Sequence, residues 1–282
     1  MQSILLSGGT GTFGRAFARH VLVNGFTDRL CVFSRGEHAQ ADLRAELGND
    51  ERLRFFIGDV RDRDRLRRAM EGCALVVHAA ALKRIEVCEY CPAEVVKTNV
   101  DGAVNVIEAA TDAGVSRVVA LSTDKADSPR NAYGASKLLA EKLFLAANAG
   151  RGASGPLFAV TRYGNIAGSA GSVIPKWRAM IAAGAKTVPV TDPDATRYWM
   201  KIEEAVDLVL QTAASMRGGE LAIPDWLPAY RLGDLAEAMG VKMQVIGLPP
   251  FEKRHESMRE GLTSDTAPRL SVDELREKLN VL

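Results

Sequence analysis

Two pairs of acid/base side chains lie within one short stretch, STDKADSPRNAYGASK, running from Ser122 to Lys137. Tyr133 and Lys137 stand four residues apart, which puts both side chains on one face of a helix. A phenol with a pKa of about 10 is a poor base at neutral pH, and a neighbouring ammonium stabilises the phenolate and lowers that value. Such a pair can remove a hydroxyl proton while hydride leaves the same carbon. Thr123 is placed to hydrogen-bond the phenol or that hydroxyl. Asp124 and Lys125 form a second set. For Lys125 to act as a base it must be partly neutral, and desolvation and positive charge from Lys137 are expected to push its pKa down. Acid/base groups at a strand end beside a redox site are where perturbed pKa values concentrate. The plain alternative is a solvated loop pair.

The apolar run Val118-Val119-Ala120-Leu121 reads as the strand that delivers this stretch, and a second strand-turn unit opens the chain. Gly8-Gly9-Thr10-Gly11-Thr12-Phe13-Gly14 follows the strand Ser3-Ser7 and leads into a helix, Arg15-Val23. The spacing Gly8-x-x-Gly11-x-x-Gly14 permits a tight turn, close approach of backbone to a pyrophosphate and tight helix packing. Free N–H groups at the helix start then face the phosphate charge, so Thr10, Thr12 and Phe13 join the glycines as cofactor-site candidates. An acidic residue at the tip of the second strand binds ribose hydroxyls, whereas arginine favours a 2′-phosphate. Here the tip reads Phe33-Ser34-Arg35, so NADP is expected over NAD, with Glu37 close by. Asp59-Val60, closing the third strand, is the natural contact for adenine, and Asp59 could equally cap the next helix. Ala79, Ala80 and Ala81, after the fourth strand, let a cofactor lie close to the backbone.

Short apolar runs at Ser3-Ser7, Leu30-Phe33, Leu53-Ile57, Leu75-His78, Arg117-Leu121 and Phe158-Tyr163 alternate with helix-length segments such as Pro92-Ala113. That alternation predicts an α/β fold, a Rossmann-type doubly wound parallel sheet, with a small C-terminal substrate-binding subdomain. The expected division is an NADP-binding domain over 1–165, rejoined by about 200–223, with 166–199 and 224–282 covering the substrate. Glycines and prolines break the chain after Gly164 into loops and one helix, and Ile202-Ala214 should return to the sheet as a helix. A short strand is expected at Leu221-Pro224, followed by two or three small helices. The 282 residues carry a formal charge of +1 with no basic block, which argues against nucleic acid or an anionic membrane as partner. No run of about 18 apolar residues spans a bilayer and the first residues lack a secretory pattern, so the cytoplasm is the expected compartment. Cys88-Glu-Tyr-Cys91 has no second ligand pair, so no metal site is expected.

On these residues the chain resembles the extended short-chain dehydrogenase/reductases, and within them the inverting UDP-N-acetylglucosamine 4,6-dehydratases that open pseudaminic acid biosynthesis. The similar stretches are GGTGTFG, FSRGE, RFFIGDVRDRDRL, HAAALKRIEVCEYCP, KTNVDGAVNVI, ALSTDKA, YGASK, RYGNIAGSAGSVIP and TRYWM. The resemblance implies an NADP-dependent hydro-lyase. Tyr133, held by Lys137, would oxidise the sugar at C4; Lys125 would take the C5 proton and Asp124 would assist loss of the C6 hydroxyl. Hydride return to C6 and reprotonation of C5 from the opposite face would complete the turnover with inversion. It also implies that Lys83 and Asn99 touch cofactor, and that Lys83, Asn165, Ser172, Val173, Arg197 and Glu256 meet substrate, Arg197 at the diphosphate. Two positions depart from the pattern: Ala170 and Pro249 stand where relatives often carry arginine, and Arg254 is a candidate compensation. A homo-oligomer, a dimer or higher, is expected through helices Pro92-Ala113 and Ala132-Ala147, with Leu138, Leu139, Leu143 and Leu145 as the apolar surface. A 4-epimerase would need Tyr133 and Lys137 but not Asp124-Lys125, and a non-catalytic NADP-binding sensor would need neither.

Overall fold

The computed structural model describes residues 3–282. Its centre is a seven-stranded sheet, all parallel, built from β1 (Ser3–Ser7), β2 (Arg29–Ser34), β3 (Leu53–Ile57), β4 (Leu75–His78), β5 (Arg117–Thr123), β6 (Leu157–Tyr163) and the short β9 (Leu221–Ala222). The spatial order is β3-β2-β1-β4-β5-β6-β9, so the chain reverses direction across the sheet between β1 and β4. In such sheets a crevice opens at the carboxyl ends of the strands at that reversal, and ligands bind there. The strands are apolar on both sides because both faces are covered. Helices α1 (Thr12–Val23), α2 (Glu37–Glu46) and α9 (Ile202–Ser215) bury Phe17, Val21, Leu43, Val206 and Val209 on one face. On the other, α3 (Arg63–Met70), α6 (Gly102–Asp112) and α7 (Ala132–Gly150) bury Leu66, Val106 and Phe144.

The helix expected over Pro92-Ala113 is present with an interruption. After α4 (Ile85–Tyr90), α5 (Pro92–Val95) widens into a π-turn at Val96–Asp101 before α6 continues. Turns of this kind insert a residue into the ladder and often serve a site, here by placing Thr98 and Asn99. A third core lies outside the sheet. Ile174 and Trp177 of α8 (Val173–Ala182) pack with Trp199, Tyr230, Leu235 of α10 (Leu232–Ala238) and Leu275 of α11 (Val272–Asn280).

This region also holds three small pairings that the sequence reading did not anticipate. They are β7 (Thr187–Val190) with β11 (Lys242–Val245), β8 (Thr196–Tyr198) with β10 (Ala229–Arg231), and β12 (Ser257–Arg259) with β13 (Leu262–Thr263). Strands of two to four residues are too short to show a period of two. Leu143 and Leu145 pack against the sheet core, so of the expected apolar surface Leu139 is the exposed member; Val87, Tyr90 and Val96 are exposed on the neighbouring elements. Among the described residues no helix is long and apolar enough to cross a membrane, and no group of three or more His, Cys, Asp or Glu could hold a metal ion.

Candidate active site

A cleft of about 1090 Å³ runs along the carboxyl ends of β1 to β6 and is bounded on its far side by residues 164–173, Arg197 and the 252–256 segment. At one end lies the glycine turn. Gly8 has φ +69°, and a Cβ there would sit 2.7 Å from Ala80 N and 2.8 Å from Ala79 C, so the turn and the alanines after β4 are in backbone contact. A Cβ at Gly14 would meet Gly9 at 2.5 Å, which lets α1 start tight against the turn. No side chain caps α1 and its first turn has no acid, so its N–H groups are left to an anion. This cradle fits a dinucleotide pyrophosphate. Gly8, Thr10, Gly11, Thr12, Phe13, Gly14, Ser34, Arg35, Asp59, Val60, Ala79, Ala80, Ala81 and Lys83 all line the cleft.

Three expectations at this end are corrected. Glu37 is absent from the cleft wall: it is the first residue of α2, faces solvent beside His38 at 3.7 Å, and suits the positive helix end. Asn99 is buried away from the cleft. Its Oδ1 accepts from Leu82 N at 2.8 Å and its Nδ2 donates to Leu82 O at 2.9 Å and Ser136 Oγ at 3.0 Å, so it clamps the loop after β4 onto α7. Asp59 does not cap α3; Asp62 does, accepting from Arg65 N at 2.9 Å. Burial would raise the Asp59 carboxyl, but bonds from Arg61 and the charge of Arg35, 3.9 Å away, hold it below its usual range.

At the other end, β5 runs into a single 3₁₀ turn, Asp124–Ala126, and α7 begins at Ala132, capped by Asn131 Oδ1 accepting from Gly134 N at 2.8 Å. Tyr133 and Lys137 both face the cleft. Burial pushes the Tyr133 phenol up to about 12, opposed by the Lys125 ammonium and a hydrogen bond with Thr123. The Lys125 ammonium thus acts on the phenol, a role the sequence reading did not give it. Lys137 is 6% exposed, and burial brings its ammonium down to about 8 against the pull of Glu141 one turn along. Glu141 is itself paired with buried Arg162 of β6 and accepts from Ser122 Oγ. Below Lys137, His78 is held neutral: burial and the Lys137 charge take it down to about 3, and its Nδ1 shares a 2.8 Å hydrogen bond with Ser7 Oγ.

The elimination pair differs from expectation in both members. Lys125 faces the cleft with Nζ donating to Asp124 Oδ1 at 3.1 Å and Asn165 Oδ1 at 3.2 Å and paired with Glu256 Oε1 at 3.2 Å. Burial alone would lower its pKa, but the Asp124 and Glu256 carboxylates raise it above the usual lysine range. Lys125 is therefore an ammonium, held by Asp124 next to it and by Glu256, an anion from the distant 249–257 segment that the sequence reading did not place beside it. Asp124 is fully buried behind it, and burial pushes its carboxyl above the usual range despite Lys125. Thr123 Oγ1, on the cleft wall, donates to Asp124 Oδ1 at 2.9 Å.

Lys83, Asn165, Ser172, Val173, Arg197 and Glu256 all reach the cleft. Arg197 is not free: Nη1 donates to Thr196 O at 2.8 Å and Arg254 O at 3.1 Å, and Nη2 meets Glu252 Oε2 at 3.4 Å. Arg254 does not replace a missing arginine, since it turns outward to Asp192 at 2.8 Å and Asp194 at 3.3 Å. Sequence reasoning missed Lys176 and Lys253, cations on the cleft wall, and Asn131, whose place before a helix was a readable cap signal. Ala170 N donates to Thr12 Oγ1 at 3.1 Å, joining the glycine turn to the loop that faces it.

Strand order, the glycine cradle and the Tyr133–Lys137 pair together define a dinucleotide-binding protein of the extended short-chain dehydrogenase/reductase type. The chain belongs to the family described as polysaccharide biosynthesis protein, whose model matches residues 4–272. It is 44% identical over 259 residues to the inverting UDP-N-acetylglucosamine 4,6-dehydratase of Campylobacter jejuni, covering 91% of this chain and 77% of that one. It is 40% identical over 267 residues to a protein of Rickettsia prowazekii named UDP-glucose 4-epimerase, again covering 91% and 77%. Among solved structures, Pen from Bacillus thuringiensis superposes with a TM-score of 0.94 at 34% identity, covering 100% of this chain and 98% of that one. The dTDP-glucose 4,6-dehydratase DesIV from Streptomyces venezuelae, solved with NAD and TYD bound, shares the fold at a TM-score of 0.82 and 24% identity over 99% and 96% of the two chains.

Proposed function

We propose that this protein is a nucleotide-sugar 4,6-dehydratase that uses NADP, acts on UDP-N-acetylglucosamine and inverts the sugar at C5. The observation that carries the reading is that Lys125, backed by Asp124, shares one cleft with Tyr133 and Lys137. Residues 1–165, rejoined by 200–223, would hold the dinucleotide through Gly8, Gly11, Thr12, Ser34 and Arg35, and 166–199 with 224–282 would cover the sugar nucleotide. The bound dinucleotide would accept hydride from C4 and return it to C6. Tyr133 takes the C4 hydroxyl proton, its phenolate favoured by Lys125 and Thr123 once the sugar excludes water. The C4 ketone acidifies C5–H, and Lys125 is the base that faces it. Asp124, whose carboxyl burial raises above its usual range, would take the proton from Lys125 and pass one to the departing C6 hydroxyl through Thr123, whose hydroxyl accepts from Asp124 as it releases its own proton. Arg35, 62% exposed at the mouth beside Ser34, is positioned for a 2′-phosphate.

A 4-epimerase, suggested by the Rickettsia prowazekii relative, would use the Tyr133–Lys137 pair and leave the acid/base cluster around Lys125 without a task. Incubating the protein with UDP-N-acetylglucosamine and catalytic NADP, then measuring product mass, separates the two. Loss of one water per sugar supports the dehydratase; a product of unchanged mass with altered C4 configuration supports the epimerase.

A further inference from the structure

Lys125 stands between two carboxylates with unlike surroundings. Asp124 accepts from the Thr123 hydroxyl at 2.9 Å and from Lys125 Nζ at 3.1 Å, both at Oδ1, while its buried Oδ2 has no partner. Glu256, the residue before β12, meets Lys125 Nζ at 3.2 Å and also faces Arg197 Nε at 3.9 Å and Lys253 Nζ at 3.4 Å. One carboxylate therefore answers a single ammonium and the other answers three cations. Asn165 Oδ1, at 3.2 Å, takes the remaining Lys125 donor. The other ionisable groups around the cluster are the phenols of Tyr133, Tyr198 and Tyr230, each held neutral by burial. Glu252 is occupied by Arg197 and Asp127 by Arg162.

We propose that Glu256 is a positioning residue for the elimination: a permanent counter-ion that fixes Lys125 Nζ in the cleft, leaving Asp124 as the carboxylate that takes the proton when Lys125 becomes an amine. The step is internal to the site. A Lys125 Nζ–H bond breaks, an Asp124 O–H bond forms, and the ion pair becomes a neutral amine and a neutral acid without an external base. The amine then takes the C5 proton, and Asp124 holds the proton destined for the C6 hydroxyl. Each carboxylate has one buried oxygen without a hydrogen bond, Asp124 Oδ2 and Glu256 Oε2, but protonating Glu256 would leave three cations facing a neutral group, whereas protonating Asp124 neutralises a buried carboxylate that answers a single ammonium. The environments push the two carboxyls in opposite directions. Burial raises Asp124, while the cations around Glu256 outweigh its burial and lower it.

The catalytic half of this inference rests on the dehydratase reading; the charge assignment does not, so both are measured. In the ligand-free protein, carboxyl and ammonium resonances are titrated by NMR and assigned with Asp124→Asn, Glu256→Gln and Lys125→Met. Asp124 should take up its proton above the ordinary aspartate value of about 3.9, and Glu256 below the ordinary glutamate value of about 4.3. In Glu256→Gln the Lys125 titration should fall by about 1–3 pH units, and Glu256→Asp should restore most of it. Glu256 protonating before Asp124 as pH falls, or Lys125 titrating alike in wild type and Glu256→Gln, overturns the proposal. Should Glu256→Gln fail to fold, the order of the two carboxyls in the wild type decides alone. With UDP-N-acetylglucosamine present, Glu256→Gln should move the pH profile of C5 hydrogen exchange toward acid. A wild type that never exchanges C5 sinks the dehydratase reading and leaves the titration order standing.

Discussion

Gly134 lies in α7 between Tyr133 and Lys137, and a Cβ added there would sit 2.2 Å from the Lys125 carbonyl oxygen and 3.1 Å from Pro129 Cβ. The close atom is backbone and cannot rotate away, so Gly134→Ala must part α7 from the 3₁₀ turn by about 1 Å to reach an ordinary contact. Overpacking against a rigid neighbour costs about 3 kcal/mol. Removing a helical glycine returns about 1 kcal/mol, leaving a net loss of about 2 kcal/mol. For a chain of this size that lowers Tm by about 3–4 °C. The larger effect is on chemistry, because the parting moves Lys125 relative to Tyr133, and a 1 Å misplacement costs about 10²-fold in rate. Thermal unfolding and the rate of water loss are the two assays. Gly150→Ala, in the same helix with open space around its Cβ, is the control and should stabilise by up to about 1 kcal/mol without touching the rate. A Gly134→Ala protein that melts above wild type and eliminates water at the wild-type rate would refute the packing argument.

Lys137→Met should abolish C4 oxidation yet stabilise the fold. The folded-state pKa of about 8 lies below the ordinary 10.5, so the cost of burying the ammonium is complete below about pH 8 and is relieved as pH rises toward 10.5. The gain should be on the order of 3 kcal/mol at pH 7 and fade across that window in denaturant titrations. Arg35→Asp should shift the ratio of NADP to NAD binding by about 10–100-fold toward NAD, read as dinucleotide Kd values. Glu141→Gln leaves buried Arg162 undercompensated and should destabilise by about 3–5 kcal/mol in urea. If the exposed Val87, Tyr90, Val96 and Leu139 face a second copy, Leu139→Glu should move the sedimentation coefficient from dimer to monomer.

The sheet was legible because each central strand is a short apolar run closed by a turn residue. Ser3–Ser7, Leu53–Ile57 and Leu75–His78 have the bounds expected, and Arg117–Thr123 runs two residues past the expected end, bringing Thr123 into the strand. Motif residues within a single strand-turn-helix unit were readable for the same reason: local geometry fixes where Gly8, Tyr133 and Lys137 point. What depends on distant segments was not readable. The charge state of Lys125 depends on Asp124 beside it and also on Glu256, whose approach requires the β12–β13 hairpin and the 249–257 segment to fold back on the cleft. Asn99 carries the motif signal of a ligand contact but is spent on Leu82 and Ser136, because the π-turn aims it inward. Arg254 looked available until Asp192 and Asp194 came beside it.

The most direct test of the central claim is the fate of C5. With UDP-N-acetylglucosamine in deuterated water, proton NMR of the product should show loss of water, one deuterium at C5 and inverted C5 configuration, all abolished in Lys125→Met. A product that keeps its water and its C5 proton, or a Lys125→Met protein that still eliminates at the wild-type rate, would contradict it.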